Sequence, residues 1–233
     1  IYNSYNQTYY ILYKMNNLIL LRHGKSKFNE QRRFTGFYDA ELNLEGEEEA
    51  KYAGELIKKL NINIDEYFTS ELTRASRTLD IILKILNKLN VKINKAWELN
   101  ERHYGGLTGL NKDETIKKYG NKQVQIWRRS FDTPPPPMES KHPFKKKINT
   151  TILSESLKNT FERVIPYYDK KIEPLISSNK NVLIVFHGNS CRALLKKIFN
   201  ISTKKIIDFE IPTGNPLLIR FENNLKIKDY KYL

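Results

Sequence analysis

The sequence has almost no cysteine and no hydrophobic run long enough to cross a membrane. Its one cysteine, Cys191, excludes an intramolecular disulfide and a zinc site built from clustered cysteines. No apolar run approaches the roughly 18 residues that a transmembrane helix needs. The N-terminal stretch lacks the charged and then apolar segments of a secretory signal. These absences favour a reducing compartment, and we expect a cytoplasmic chain without membrane contact.

Positive charge is abundant but not clustered. The chain has 40 Lys and Arg against 26 Asp and Glu, a formal net charge of +14. Such an excess is typical of nucleic-acid-binding proteins, but here the lysines are scattered among asparagines and isoleucines, and no nucleic-acid-binding motif is present. The densest run, Lys145-Lys146-Lys147, falls in a predicted loop. We therefore expect no nucleic-acid partner. We expect the excess of positive charge to help attract a small polyanion to its site.

The alternation of predicted strands and helices indicates an α/β fold. The 233 residues, of which 39% are hydrophobic, suit one domain of this class. Apolar runs at residues 18–21 and 182–186, each followed closely by glycine, predict buried strands of a parallel sheet. Further strands are predicted at 65–70, 91–97 and 216–221, and helices at 44–60, 71–89, 155–175 and 189–199, with a helical stretch that ends near 130. The order predicts a three-layer sandwich with a mainly parallel central sheet flanked by helices.

We expect one domain over residues 15–233. Residues 1–14 are polar and rich in tyrosine, so we interpret them as an extension without a catalytic role and Met15 as the natural start. Four consecutive prolines, 134–137, cannot lie inside a helix or a central strand. They predict an irregular insert at about 132–152, a candidate lid or subdomain, and Pro166 predicts a kink in the helix that follows.

Two histidines each follow a buried strand and each precede a glycine. His23-Gly24 comes after Arg22, and His187-Gly188 comes after the second long apolar run. Ligands of open α/β sheets bind at the carboxyl ends of the strands, so both imidazoles are expected at one active-site edge. A neutral imidazole can be a nucleophile, arginine binds phosphate oxygens in a bidentate manner, and Gly24 would let the backbone approach a ligand closely.

Several blocks of the sequence resemble the cofactor-dependent phosphoglycerate mutases, a family of the histidine phosphatase superfamily. The first is RHGKSKFNEQRRFTGFYD at residues 22–39. The others are SELTRA at 70–75, LNERHYGGLTGLNK at 99–112, WRRS at 127–130, ESLKNT at 155–160 and HGNS at 187–190. The blocks appear in the family's order and cover the chain from about Met15 to its end.

The resemblance implies five catalytic residues. His23 would accept the phosphoryl group and form a phosphohistidine. Arg22, Arg74 and His187 would surround the transferred group. Glu101 would be the general acid and base that moves a proton to and from a substrate hydroxyl.

The resemblance also implies a set of substrate-binding residues. These are Ser26, Asn29, Thr35, Gly36, Arg74, Tyr104, Lys112, Arg128, Arg129, Gly188 and Asn189. One cationic cluster at His23 and another from Lys112, Arg128 and Arg129 would provide two anion sites, as a mutase requires. Asn189 is expected to cap the helix after His187.

The implied reaction is the interconversion of 3-phosphoglycerate and 2-phosphoglycerate in glycolysis and gluconeogenesis. It would proceed through the phosphohistidine, primed by 2,3-bisphosphoglycerate and without a metal, in a homodimer or homotetramer. A broad-specificity phosphatase on the same fold is the nearest alternative, and the second anion site argues against it. A non-catalytic anion-binding or nucleic-acid-binding module is the remote one, and the intact set of core residues argues against it.

Three departures from the family pattern carry expectations of their own. Lys25 stands where the family usually has glutamate, which predicts a more positive pocket mouth and an altered lifetime of the phosphoenzyme. The insert after the prolines is shorter than in many relatives. Some relatives also carry a mobile tail over the site. Because this chain stops at Leu233, soon after the last predicted strand, we expect water to reach the phosphohistidine more easily.

Overall fold

Six strands form one mixed sheet at the centre of the molecule. The computed structural model describes residues 16–222 and 224–233, so the extension expected at 1–14 and Met15 lie outside the described residues. The strands are β1 (Asn16–Arg22), β2 (Glu66–Thr69), β3 (Ile93–Lys95), β4 (Val182–Phe186), β5 (Leu217–Phe221) and β6 (Ile227–Tyr232). Their order across the sheet is β3-β2-β4-β1-β5-β6. The first four of these are mutually parallel, whereas β5 runs antiparallel to β1, and β6 runs antiparallel to β5.

Helices cover both faces of this sheet. They are α1 (Lys27–Glu30), α2 (Leu44–Lys59), α3 (Thr73–Ile85), α4 (Lys112–Tyr119), α5 (Asn121–Arg129), α6 (Leu157–Tyr167), α7 (Glu173–Ser177) and α8 (Gly188–Ile198). Ile19 and Leu21 of β1 pack against α2 and α3, whereas Leu18 and Leu20 face the core made with α6, α7 and α8. Because neighbouring residues of a strand point to opposite faces, one continuous apolar run serves two cores. The predicted three-layer α/β sandwich is confirmed. Among the described residues, no helix is both long enough and apolar enough to span a bilayer.

Two of the predicted strands differ from the observed ones. The strand predicted at 91–97 is shorter and consists of β3 alone. Only three of its residues pair with β2, and the chain enters a 3-10 helix at Trp97. The strand at 216–221 was predicted to close the sheet, but β6 follows it as the edge strand. Only one side of β6 is paired and its side chains are largely exposed, so its sequence lacks the apolar pattern of the inner strands.

The helices also depart from their predicted bounds. The helix predicted at 71–89 ends at Ile85, and Asn87 adopts a left-handed conformation that stops it, so Leu89 is exposed rather than in the core. The kink predicted at Pro166 stays a prediction, but the type of helix changes just after this residue. The helix α6 runs through Pro166, and a π-helical turn follows over Tyr168–Ile172. That turn keeps Tyr168, Ile172 and Ile176 in the same buried core.

The proline-rich insert lies on the loops that lead to the sheet edge. Residues 134–137 lie outside every helix and strand, as predicted. The ring of Phe144 packs on Phe28 and Tyr38 with ring centroids 6.0 and 4.8 Å apart. The amide of Gly106 donates to the carbonyl of Pro136 at 2.8 Å. The insert is therefore anchored to the segment that follows the first histidine.

Two glycines allow the start of α2 to touch the loop after β1. A Cβ on Gly24 would lie 2.1 Å from the carbonyl oxygen of Gly46, and a Cβ on Gly46 would lie 2.1 Å from that of Lys25. Gly24 was expected to permit close approach to a ligand, but what approaches it is this helix. The contact fixes the backbone directly after His23.

We predict that Gly46→Ala destabilises the protein. The new methyl group would overlap the Lys25 backbone, and overpacking of this kind costs about 1–3 kcal/mol. For a chain of this size this corresponds to a fall in Tm of about 2–12 °C, which differential scanning calorimetry would measure. Glu55→Ala, at an exposed position of the same helix, is the matched control and should shift Tm only slightly. Equal shifts in the two variants would contradict the packing argument.

Candidate active site

The register of two neighbouring strands brings the two histidines together. Arg22 at the end of β1 lies opposite Phe186 at the end of β4. His23 and His187 therefore leave the sheet side by side at its carboxyl edge, and the amide of His23 still donates to the carbonyl of Phe186 at 3.0 Å. Their ring centroids are 4.9 Å apart in an edge-to-face arrangement. The convergence expected from the sequence is present.

His23 is held as a neutral imidazole with a defined tautomer. Its Nδ1 lies 2.6 Å from the carbonyl oxygen of Gly24, which can only accept, so Nδ1 carries the hydrogen. The lone pair therefore lies on Nε2. Burial, followed by the positive charges of Arg74 and Arg22, lowers the pKa of His23 well below its ordinary value. An unprotonated Nε2 is the form of imidazole that can act as a nucleophile.

Arg74 of α3 is the cation that faces this lone pair. Its Nε lies 3.3 Å from Nε2 of His23. Its two terminal nitrogens donate to the carbonyls of Tyr38 and Gly36 at 2.9 and 2.8 Å. Gly36 adopts a positive φ of 56°, and a Cβ there would lie 2.9 Å from the amide nitrogen of Tyr104. Only glycine fits this turn easily. The turn places the carbonyl of Gly36 where it orients Arg74.

His187 is oriented by Ser70, a residue to which the sequence analysis gave no role. The Ser70 hydroxyl accepts from the amide of Leu72 at 3.2 Å and lies 2.7 Å from Nε2 of His187. A hydroxyl has one hydrogen and two lone pairs, so it can donate to Nε2 or accept from it. In either case the contact orients the ring and leaves Nδ1 as its second nitrogen. Within the described part of the chain, this buried Nδ1 has no hydrogen-bond partner. Burial and then the positive charge of Arg74 lower the pKa of His187 well below its ordinary value, which favours the neutral ring.

Glu101 reaches the same edge from an irregular segment after β3. Its Oε1 accepts from the amide of Arg102 at 2.7 Å and from the amide of Asn189 at 3.2 Å. Asn189 was expected to cap α8, but the helix begins at Gly188 with His187 as the N-cap. The free amide at the start of α8 therefore binds the Glu101 carboxylate, a favourable place for an anion.

A cavity lies between these residues and is rich in positive charge. Its lining consists of Arg22, Asn29, Arg33, Phe34, Thr35, Glu101, Tyr104, Lys112, Arg128, Arg129, Gly188, Asn189, Arg192, Glu210 and Ile211. Six of these side chains are cationic and two are carboxylates. The surplus of buried and half-buried positive charge is suited to a ligand with more than one anionic group.

The structure divides the predicted residues into three groups. Eight predicted binding residues line the cavity together with Arg22 and Glu101. These eight are Asn29, Thr35, Tyr104, Lys112, Arg128, Arg129, Gly188 and Asn189. His23, Arg74 and His187 do not line this cavity but are buried next to it.

Besides Arg74, the predicted binding residues that the cavity does not include are Ser26 and Gly36. Ser26 is buried at the N-cap of α1, where its hydroxyl accepts from the amide of Asn29 at 3.2 Å and donates to the Asn29 side chain at 3.0 Å. It orients Asn29, which does line the cavity. A short polar side chain before a helix signals a cap as readily as a ligand contact.

Three charged cavity residues were missed by the sequence analysis: Arg33, Arg192 and Glu210. Arg33 directly precedes the Phe34-Thr35 pair, and Arg192 lies three residues after Asn189 on the same face of α8, where it donates to the Asn189 side chain at 3.1 Å. These spacings were available signals. Glu210 forms an ion pair with Arg129 across the cavity, and nothing in its local sequence indicates that position.

Lys25 does not enter the cavity. Its ammonium pairs with Glu45 at 2.6 Å, and its amide donates to Glu49 at 2.7 Å. The hydrogen bond to Glu45 raises the pKa of Lys25. Its charge is thus matched by a carboxylate on α2 and adds no unpaired charge to the cavity lining. The altered phosphoenzyme lifetime expected from this residue stays a prediction.

Comparisons with known proteins agree with this geometry. The sequence model of the histidine phosphatase superfamily (branch 1) matches residues 18–228. The chain is 48% identical over 222 residues to a 2,3-bisphosphoglycerate-dependent phosphoglycerate mutase of Caulobacter sp. (strain K31), covering 93% of this chain and 94% of that protein. It is 49% identical over 229 residues to the protein of the same name from Buchnera aphidicola subsp. Cinara cedri (strain Cc), covering 94% and 100%. Among solved structures, Bacillus stearothermophilus YhfR is similar in fold, with a TM-score of 0.71, 19% identity and coverage of 91% and 93%.

We predict that His23 and His187 stay neutral at pH 6.0 in the folded protein. An ordinary imidazole has a pKa of about 6.5 and is mostly protonated there, whereas burial lowers the pKa of both rings. Long-range nitrogen–proton NMR spectra of histidine-labelled protein, recorded from pH 5.5 to 8, would measure their charge and tautomers. The chain has four histidines, so single variants can assign the signals. The urea-unfolded protein is the control and should titrate near 6.5, and a folded His23 that did the same would contradict the prediction.

Proposed function

Because the chain belongs to the histidine phosphatase superfamily, and within it to the 2,3-bisphosphoglycerate-dependent phosphoglycerate mutases, we propose how its site interconverts 3-phosphoglycerate and 2-phosphoglycerate. The observation that carries the proposal is one cavity lined by six cationic side chains. We assign Arg22, which directly precedes His23 in the chain, to the reacting end, and Lys112, Arg128 and Arg129 to a second anion site.

Two anion sites meet the particular demand of this reaction. A phosphoglycerate carries a phosphate and a carboxylate, and the doubly phosphorylated state carries one more anionic group. Arg22 and Arg74 neutralise the group that is transferred at His23, and His187 lies beside it. The second group, from Lys112, Arg128 and Arg129, binds the anion that is not reacting. Arginine suits both tasks because its planar donors match phosphate and carboxylate oxygens and stay charged at any working pH.

His23 carries the phosphoryl group between the two positions. Its Nε2 lone pair forms the P–N bond while the bond from phosphorus to the substrate oxygen breaks. The reverse transfer forms the P–O bond at the other hydroxyl and returns the lone pair to Nε2. Transfer of this kind needs positioning and neutralisation of charge more than covalent chemistry from the protein, and Arg74, 3.3 Å from Nε2, supplies both.

Glu101 balances the protons of each transfer. When a substrate hydroxyl attacks phosphohistidine, the carboxylate takes its proton. When an oxygen leaves phosphorus, the protonated Glu101 returns that proton to it. The amides of Arg102 and Asn189 fix one oxygen of the carboxylate, and Glu101 itself lines the cavity. General acid and base catalysis by a positioned carboxylate contributes about 10²–10⁴-fold.

The residues around the cavity fit 2,3-bisphosphoglycerate. Buried polar groups normally have hydrogen-bond partners, yet in the described residues Nε of Arg22 and Nε of Arg192 are buried donors without one, and Nδ1 of His187 is a buried ring nitrogen without one. Arg22 and Arg192 line the cavity, so anionic oxygens there would supply the missing acceptors. When bound, 2,3-bisphosphoglycerate supplies the phosphoryl group that primes His23.

We predict that His23→Ala abolishes both isomerisation and acid-labile phosphate on the protein. The variant removes the only proposed acceptor atom. An enolase-coupled assay with and without added 2,3-bisphosphoglycerate measures the first, and labelling with radioactive phosphate measures the second. His142→Ala, in the insert outside the cavity, is the matched control and should keep both. Retained labelling of the His23 variant would refute His23 as the acceptor.

We predict that Arg128→Ala with Arg129→Ala lowers mutase activity more than phosphatase activity. Hydrogen bonds to charged groups are worth about 1.5–3 kcal/mol each, so the loss of two lowers kcat/KM for isomerisation by about 10²–10⁴-fold. Hydrolysis of a simple phosphate monoester uses only the His23 end and should fall far less. The adjacent pair Lys58→Ala with Lys59→Ala, exposed on α2, controls for the change in net charge. Equal losses in both activities would refute the assignment of two anion sites.

A further inference from the structure

A buried ion pair lies outside the cavity and has no part in the steps described above. Arg163 of α6 and Glu155, just before that helix, are in contact at 2.7 and 2.9 Å through two parallel hydrogen bonds. Their side chains are 7% and 4% exposed. A buried ion pair is weak evidence for stability, because removing two charges from water costs free energy that their attraction only partly returns. Its surroundings indicate what else it does.

The guanidinium of Arg163 uses all five of its N–H donors. Two bind the Glu155 carboxylate. The other three donate to carbonyls of the chain segment that carries Glu101. They are the carbonyls of Glu98 at 2.7 Å, Asn100 at 3.0 Å and Glu101 at 3.0 Å. Arginine can make no further donor bond, so the side chain is committed to this segment.

Glu155 holds the same segment from the other side. Its Oε2 accepts from the amide of His103 at 2.8 Å, and its own amide donates to the carbonyl of His103 at 2.9 Å. The pair therefore binds the backbone both before and after Glu101. Between the 3-10 helix that ends at Leu99 and the next one at Gly105, this segment has no regular hydrogen-bonded structure of its own.

The position of the guanidinium is fixed by two aromatic rings and one helix. Its central carbon lies 5.8 Å from the ring centroid of Trp97 and 5.5 Å from that of Phe37. The helix α6 packs against α8, and the amide of Asn189 in α8 binds the Glu101 carboxylate. A side chain of α6 therefore holds the backbone of Glu101, an amide of α8 holds its carboxylate, and these two helices pack on each other.

We propose that the Glu155–Arg163 pair is the positioning element for Glu101, holding its backbone so that the carboxylate reaches the substrate hydroxyl at the sheet edge. The proposal rests on the proposed function of Glu101 as the general acid and base. An irregular segment has many conformations available to it, and a displacement of about 1 Å in a reacting group can cost about 10²-fold in rate. A planar fork that binds three carbonyls and one carboxylate restricts that freedom more than a single charge would.

The central test is Arg163→Lys, which keeps the charge and removes the fork. We expect kcat for isomerisation to fall by about 10–10²-fold while KM stays within about threefold, because the cavity lining does not include Arg163. Arg77→Lys is the matched control, since Arg77 also binds a carboxylate, Glu47, but in an exposed pair. It should leave both constants unchanged. Circular dichroism and Tm would establish that each variant is folded.

A double-mutant cycle with Glu101→Gln separates positioning from a general structural effect. Single-turnover measurements with enzyme in excess keep the slow variants measurable. If Arg163 acts through the Glu101 carboxylate, Arg163→Lys should change the rate less than about threefold in the Glu101→Gln background. Losses that multiply in the double variant would overturn the proposal. Glu155→Gln, which keeps an acceptor for the His103 amide, replaces Arg163→Lys in the cycle should the lysine variant not fold.

Measurements on the wild-type protein and on Glu101→Gln distinguish the failure of this proposal from the failure of the proposed function. If the wild-type protein does not isomerise phosphoglycerates, or if Glu101→Gln does not slow it, the proposed function fails whatever Arg163 does. If both behave as expected and Arg163→Lys retains wild-type kcat, the proposed function stands and the positioning role is wrong.

Discussion

The in-register pairing of β1 with β4 is the constraint on which the rest of the site depends. These two strands are far apart in sequence, and each is buried on both faces of the sheet. A histidine directly follows each of the paired residues Arg22 and Phe186. The pairing therefore places the two histidines side by side at the sheet edge. A shift of one residue in this pairing would turn every apolar side chain of the shifted strand to the wrong core. The cores therefore fix the distance between the two imidazoles.

Positive charge concentrated at one buried place needs compensation, and the protein supplies it with backbone groups. Arg74 donates to two carbonyls, and Arg22 donates to the carbonyl of Ile211 at 2.7 Å. These carbonyls accept three of the arginine hydrogen bonds in place of carboxylates, which would compete with an anionic ligand. The same positive charges, together with burial, keep His23 unprotonated. One arrangement thus explains both the affinity for phosphate that we propose and the nucleophilic form of the imidazole.

Glu101 is positioned differently from the histidines, since no strand ends beside it. Its segment lies after the edge strand β3, where the sheet offers no further ladder. Side chains from α6 and an amide from α8 hold it instead. The acid and base we propose thus depends on packing between helices, while the proposed nucleophile depends on pairing between strands.

Local pattern along the chain was enough to predict several parts of this protein. Continuous apolar runs indicated β1 and β4, helical spacing indicated α3, and the four prolines excluded regular structure, because each of these signals reflects burial or backbone geometry within a few residues. The same reasoning missed β6, whose exposed edge position leaves no apolar pattern, and extended β3 and α3 beyond their ends. Only the tertiary structure decided that Ser26 caps a helix, that Gly24 accommodates α2, and that Arg33, Arg192 and Glu210 belong to the cavity. Those outcomes depend on which distant segments meet at the sheet edge, and that is set by long-range packing rather than by neighbours in the chain.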